Sequence, residues 1–114
     1  MAGKFELKKT AKGSFMFNLK ASNGEIILTS EMYKGKVGAK NGIKSVKTNA
    51  KVAAHFKILA SRKKEPYFVL RAGNNQVIGT SEMYSSAKAM ENGIASVKQT
   101  APGAAVEDLT KKSK

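Results

Sequence analysis

The chain has 114 residues, 41% of them apolar and 25% charged, which suits one soluble domain and falls short of two independent cores with a cleft between them. It contains no cysteine, so disulfides, zinc–thiolate sites and thiol nucleophiles are all excluded. Lys and Arg number 21 against 8 acids, a net charge of +13 that invites an anionic partner; residues 1–54 hold 11 Lys and 3 Glu (+8), residues 55–114 hold 8 Lys, 2 Arg and 5 acids (+5), so no single tail carries the bias.

From the N-terminus, Phe5 and Leu7 alternate with Lys4, Glu6 and Lys8, the pattern of a half-buried strand. There is no apolar leader ahead of it, and a cytoplasmic location is the expectation. After a short basic turn Phe15, Phe17 and Leu19 alternate with Met16, Asn18 and Lys20, a second strand. Asn23-Gly24 predicts a type I′ hairpin into a third strand, Ile26-Ile27-Leu28. Beyond Ser30-Glu31-Met32-Tyr33 the period lengthens: Ala39, Ile43 and Val46 fall at i, i+4 and i+7, which predicts a helix from near Gly35 to near Ala50 lying on a sheet.

The whole series then recurs. A shift of 51 positions aligns residues 4–50 with 55–101 without a gap, so Phe17-x-Leu19-x-Ala21-x-Asn23 returns as Phe68-x-Leu70-x-Ala72-x-Asn74, and Thr29–Tyr33 returns unchanged as Thr80–Tyr84. Asn41-Gly42-Ile43 and Ser45-Val46-Lys47 return as Asn92-Gly93-Ile94 and Ser96-Val97-Lys98. In the second copy the expected strands are His55–Ile58, Tyr67–Arg71 and Val77-Ile78, and Met90, Ile94 and Val97 form the stripe of a helix that Ser85 or Ser86 caps and Pro102-Gly103 ends. Gly42 and Gly93 fall on the buried stripe, where glycine costs up to about 1 kcal/mol against alanine, so their recurrence predicts a close approach of helix to sheet.

A closing strand is expected in each unit: Ala104–Leu109 in the second, and Val52-Ala53-Ala54 in the first, running into His55–Ile58 without a turn residue, as one continuous strand. Such a strand cannot fold back on its own unit. Each closing strand is therefore predicted to pair in the other unit's half, which makes one domain of repeat one (4–54), repeat two (55–109) and a disordered basic tail (110–114), monomeric because each copy supplies what the other lacks.

The run Phe-x-Leu-x-Ala-x-Asn-Gly, Ser-Glu-x-Tyr and Asn-Gly-Ile-x-Ser-Val, present twice, resembles the YegP-like family of small bacterial tandem-repeat proteins over nearly the whole chain. The resemblance implies an α+β fold of two β3-α-β units forming a single antiparallel sheet, with exchanged terminal strands and both helices on one face. It implies no activity and carries over no catalytic residue. The second copy departs from the family's turn with Asn74-Asn75, and the first lacks a serine cap before its helix.

Motifs for chemistry are sparse. His55 is the one histidine and reads as an ordinary strand residue; there is no phosphate loop, no metal-ligand spacing and no serine–histidine pair, so neither enzyme activity nor a cofactor is expected. Ser-Glu-x-Tyr reads as the strand-to-helix connection, with serine and glutamate bonding backbone groups and tyrosine packing at the core edge, and Asn41 and Asn92 as loop-fixing residues. With both helices on one side, the opposite strand parity places Lys4, Lys8, Lys20, Lys57, Tyr67 and Arg71, beside Met16 and Val69, on an open sheet face as candidate nucleic-acid contacts; Lys34, Lys36, Lys40, Lys44 and Lys47 belong to the first helix and its approach. The excess of lysine over arginine favours nonspecific attraction to phosphate over base reading. The alternative is a protein-interaction module that meets an acidic protein at a sheet edge or face; a small-ligand protein or enzyme ranks last.

Overall fold

The computed structural model describes residues 3–110. Alternating aromatic and aliphatic residues form strands β1 (Lys4–Lys9), β2 (Phe15–Lys20) and β3 (Ile26–Ser30), followed by helix α1 (Lys36–Asn49); the second copy supplies β4 (Phe56–Ala60), β5 (Pro66–Arg71), β6 (Val77–Thr80) and helix α2 (Ala87–Thr100), and β7 (Ala105–Asp108) closes the chain. The strands make one seven-stranded sheet in the order β4-β5-β6-β3-β2-β1-β7. The two units meet where β3 pairs antiparallel with β6, Thr29 opposite Thr80 and Ser30 opposite Gly79. Gly79 is the repeat counterpart of Leu28, and a Cβ there would sit 2.7 Å from the Leu28 side chain, so one copy gives up bulk where the other provides it.

The inward parity of the strands and the helix stripes make the core: Phe5, Leu7, Phe17, Leu19, Val46, Phe68, Leu70, Val97 and Ala101 are all 0% exposed. Both helices begin and end where the sequence places them. Ser86 caps α2 by accepting from the Ala89 N–H, whereas Gly35 at the start of α1 provides no side-chain cap. Gly42 allows Tyr33 to slide beneath α1 and stack on Phe17 at 6.3 Å between centroids and 9° between planes, and Gly93 does the same for Tyr84 on Phe68.

Three expectations are corrected. The sheet is mixed, because β7 runs parallel to β1. The join is no continuous strand: Ala53–His55 form a 3-10 turn, closed by the Phe56 N–H donating to the Ala53 carbonyl, that redirects the chain into β4. The β2–β3 hairpin is closed by the Gly24 N–H donating to the Ala21 carbonyl, with only Gly24 left-handed (φ +86°), and in the β5–β6 hairpin Asn75 (φ +72°) donates to Ala72 in the same way; Asn23 does not take the positive φ that a type I′ turn demands, and its Oδ1 accepts from the Glu25 N–H instead. The expected exchange occurs in one direction only: β7 crosses from the second repeat to the edge of the first, whereas Val52-Ala53-Ala54 forms no strand and β4 pairs with β5 of its own repeat, so nothing from the first repeat lies outside β4 among the described residues. Thr110 donates to the Asp108 carboxylate, and the remainder of the expected tail, 111–114, lies outside the described residues.

Candidate nucleic-acid interface

The open face of the sheet gathers three of the six candidate residues around an acid that the sequence reading passed over. Register places Lys4 opposite Lys20 and Glu6 opposite Asn18, and the Glu6 carboxylate lies 3.2 Å from Lys20, 3.6 Å from Lys8 and 3.7 Å from Lys4. Burial pushes the Glu6 carboxyl up, but the hydrogen bond and charge of Lys20, with Lys8 and Lys4 behind them, outweigh it and hold the group below its ordinary value. Lys8 also donates to the Asn18 Oδ1 at 2.9 Å, while the Asn18 amide donates to Thr29. Lys4 pairs with Glu107 of β7 at 2.6 Å, which raises its pKa. These lysines are thus tied into a network whose carboxylates offset much of their charge.

The other three candidates lie on the second half of the same face. Lys57 stands opposite Val69 and is exposed, Tyr67 stands opposite Leu59, and Arg71 stands opposite Val77; both Tyr67 and Arg71 are half-buried. Val69, expected to face solvent, is only 7% exposed because β5 lies between two neighbouring strands.

A second basic surface is better organised. Along α1, Lys36, Lys40, Lys44 and Lys47 recur at helical spacing. Lys36 is held by Asp108, a 2.6 Å pair that, with a Thr110 hydrogen bond, keeps the Asp108 carboxyl far below its usual range. Lys40, Lys44 and Lys47 make no ion pair among the described residues. They border a cleft of about 390 Å³ between α1 and β7, with Ile43 and Val106 as its apolar lining and Asp108 at its margin. The Lys47 ammonium lies 5.9 Å from the Phe5 ring centroid. The sequence disclosed the helical lysines but not this cleft, because its second wall comes from a strand some sixty residues away.

The repeated motifs divide between structure and solvent. Ser30 Oγ accepts from the Phe17 N–H at 2.9 Å and donates to the Glu31 carbonyl, and Ser81 does the same for Phe68 and Glu82. The Tyr33 and Tyr84 hydroxyls are pushed up by burial, with the charges of Glu31 and Glu82 adding to it. The glutamates do not bond the loop as expected: Glu31 and Glu82 are exposed, as are Met32 (59%) and Met83 (48%). Asn41 and Asn92, expected to fix loops, are exposed on their helices because they sit one residue off the buried stripe. No cluster of three or more metal-ligating side chains occurs among the described residues, nor a helix long and apolar enough to cross a membrane.

Comparison with known proteins matches the family model described as a domain of unknown function (DUF1508) twice, at residues 11–56 and 61–108. The UPF0339 protein YegP of Yersinia pestis is 53% identical over 95% of this chain and 96% of its own length, and a UPF0339 protein of Shewanella oneidensis is 50% identical over 96% and 100%. The solution NMR structure of a UPF0339 protein from Shewanella oneidensis superposes with a TM-score of 0.91 at 50% identity, covering 96% of this chain and 93% of that one. That of yegP from E. coli, a protein of unknown function, gives 0.93 at 44% identity, covering 99% and 97%.

Proposed function

The chain belongs to the DUF1508 family, a domain of unknown function, and we propose that this member is a monomeric binding module that performs no chemistry and holds the phosphate backbone of nucleic acid against α1. The observation that carries this reading is the unpaired lysine stripe Lys40, Lys44 and Lys47 along the α1–β7 cleft. At a rise of about 1.5 Å per residue the three ammonium groups span about 10 Å of helix, a rail for successive phosphates rather than a pocket for one. Val106, exposed beside the rail with the buried Ile43 beneath the cleft, offers an unpaired base an apolar surface. Lysine makes point contacts and lacks the planar fork that reads base edges, so binding is nonspecific and salt-sensitive.

Lys57, Tyr67 and Arg71 on the sheet's second half form a lesser contact surface, whereas Lys4, Lys8 and Lys20 contribute little while Glu6 shares their charge. The reading without chemistry is supported by His55, which has no acid partner among the described residues, and by the duplicated serine hydroxyls and tyrosine backbone, which hold β2 and β5 to the strand-to-helix connections. The test is fluorescence anisotropy with labelled single-stranded and duplex oligonucleotides at low and physiological salt. Binding at low salt that is lost in the K40Q/K44Q/K47Q variant is expected; no binding by the wild type even at low salt refutes the reading.

A further inference from the structure

The two repeats are equivalent in sequence but not in what covers their outer edges. In the first, β7 lies against β1, and Phe5 and Leu7 are 0% exposed. In the second, the counterparts are Phe56, half-buried, and Ile58, 56% exposed, because the outer edge of β4 has no strand beside it among the described residues. The Leu109 N–H donates to the Leu7 carbonyl, so Leu7 turns its backbone toward β7. A strand residue directs its N–H and C=O to the same side, so Ile58 turns both toward the vacant edge.

The chain itself displays what such an edge accepts. On β1 the register sets Val106 opposite Phe5 and Glu107 opposite Glu6, and Lys4 rescues that like-charge pair by binding Glu107 at 2.6 Å. On β4 the counterpart of Glu6 is Lys57, exposed and without an ion pair among the described residues. A carboxylate in the Glu107 position would there meet a cation directly. The counterpart of Lys4 is His55, whose Nδ1 is buried and has no hydrogen-bond partner, a vacancy at the place where the first repeat grips its acid.

We propose that the outer edge of β4 is a docking site for an extended acidic segment of another protein, which adds as a parallel strand with an apolar side chain beside Phe56 and a carboxylate opposite Lys57. A second copy of the chain is the poorer occupant, because two molecules of net charge +13 repel and β7 is already seated on its own β1. The site lies at the opposite edge of the sheet from β7 and the α1 cleft, so it stands or falls independently of nucleic-acid binding.

The test uses the full chain, labelled for NMR, and a blocked peptide with the sequence of residues 103–110, Gly-Ala-Ala-Val-Glu-Asp-Leu-Thr. Amide shifts confined to 56–60 are expected, together with about fivefold weaker binding by K57E and recovery when the peptide carries lysines at its two acidic positions. K57E changes an exposed residue, and its fold is checked by the unchanged shifts of β1, β2 and α1. No shift in β4, shifts centred on 4–9 through displacement of β7, or equal binding by K57E would each overturn the proposal. So would β4 shifts that track protein concentration without peptide, accompanied by a dimer in light scattering.

Discussion

Alanine at Gly42 and at Gly38 should change stability in opposite directions, although both lie in α1. In an unobstructed helix Gly→Ala gains about 1 kcal/mol. At Gly38 the nearest atom to a new Cβ is Tyr33 Cδ1 at 3.5 Å, an ordinary contact, so G38A should gain most of that amount and raise Tm by about 4 °C for a domain of this size. At Gly42 the Cβ would lie 2.8 Å from Tyr33 Cζ and 3.0 Å from Phe17 Cε2, with the tyrosine ring fixed by its stack on Phe17. Overpacking of this kind costs about 1–3 kcal/mol, which leaves G42A a net loss of about 1 kcal/mol and a Tm lower by about 4 °C. The hydroxyl of Tyr33 is the nearest obstruction, so Y33F should relieve part of the loss, with a coupling of about 0.5 kcal/mol or more between the two sites. Thermal unfolding by circular dichroism measures the wild type, G38A, G42A, Y33F and G42A/Y33F. A G42A variant as stable as the wild type, or equal losses with and without the Tyr33 hydroxyl, would refute the view that glycine is required there by the ring beneath the helix.

Two further outcomes follow from the ion pairs. Glu6 and Asp108 are both held below their ordinary pKa in the folded chain, so they stabilise it above the unfolded carboxylate range of about 4, and that contribution is lost as pH falls below it. Tm should drop between pH 6 and pH 3, and drop less in D108N, where one of these carboxylates is gone; identical drops would contradict the role of the Lys36–Asp108 pair. Replacing Glu6 by glutamine should release Lys8 and Lys20 on the open face, Lys4 staying paired with Glu107, and steepen the salt dependence of oligonucleotide binding by about 0.7 for each lysine that gains a phosphate. An unchanged slope would mean that the open face takes no part.

Much of the fold was legible because the chain states it twice. The parity of Phe5 and Leu7 located strand and core together, the same parity at Phe56 and Ile58 located a strand whose Ile58 is nevertheless 56% exposed, and Met90, Ile94 and Val97 located a helix that Ala39, Ile43 and Val46 repeated. Local sequence could not reveal the direction of β7, since Ala-Val-Glu-Asp alternates equally well in either sense and only the path of the chain after α2 decides it. Nor did the join betray its turn, because Ala53–His55 contains neither glycine nor proline and folds as a 3-10 turn through backbone bonding. The basic surface was half legible. The lysines were visible, but which of them are neutralised depends on register: Glu6 meets Lys20 only because β1 and β2 bring positions fourteen apart side by side.

Whether α1 holds a phosphate backbone is read from the salt dependence of binding. Three lysines each releasing a counterion from single-stranded nucleic acid give a slope of log K against log salt of about −2, a loss of roughly twentyfold between 50 and 200 mM. That slope is expected for the wild-type chain, with binding by K40Q/K44Q/K47Q lost already at 50 mM salt. A triple variant that binds as tightly as the wild type, with the same slope, would contradict it.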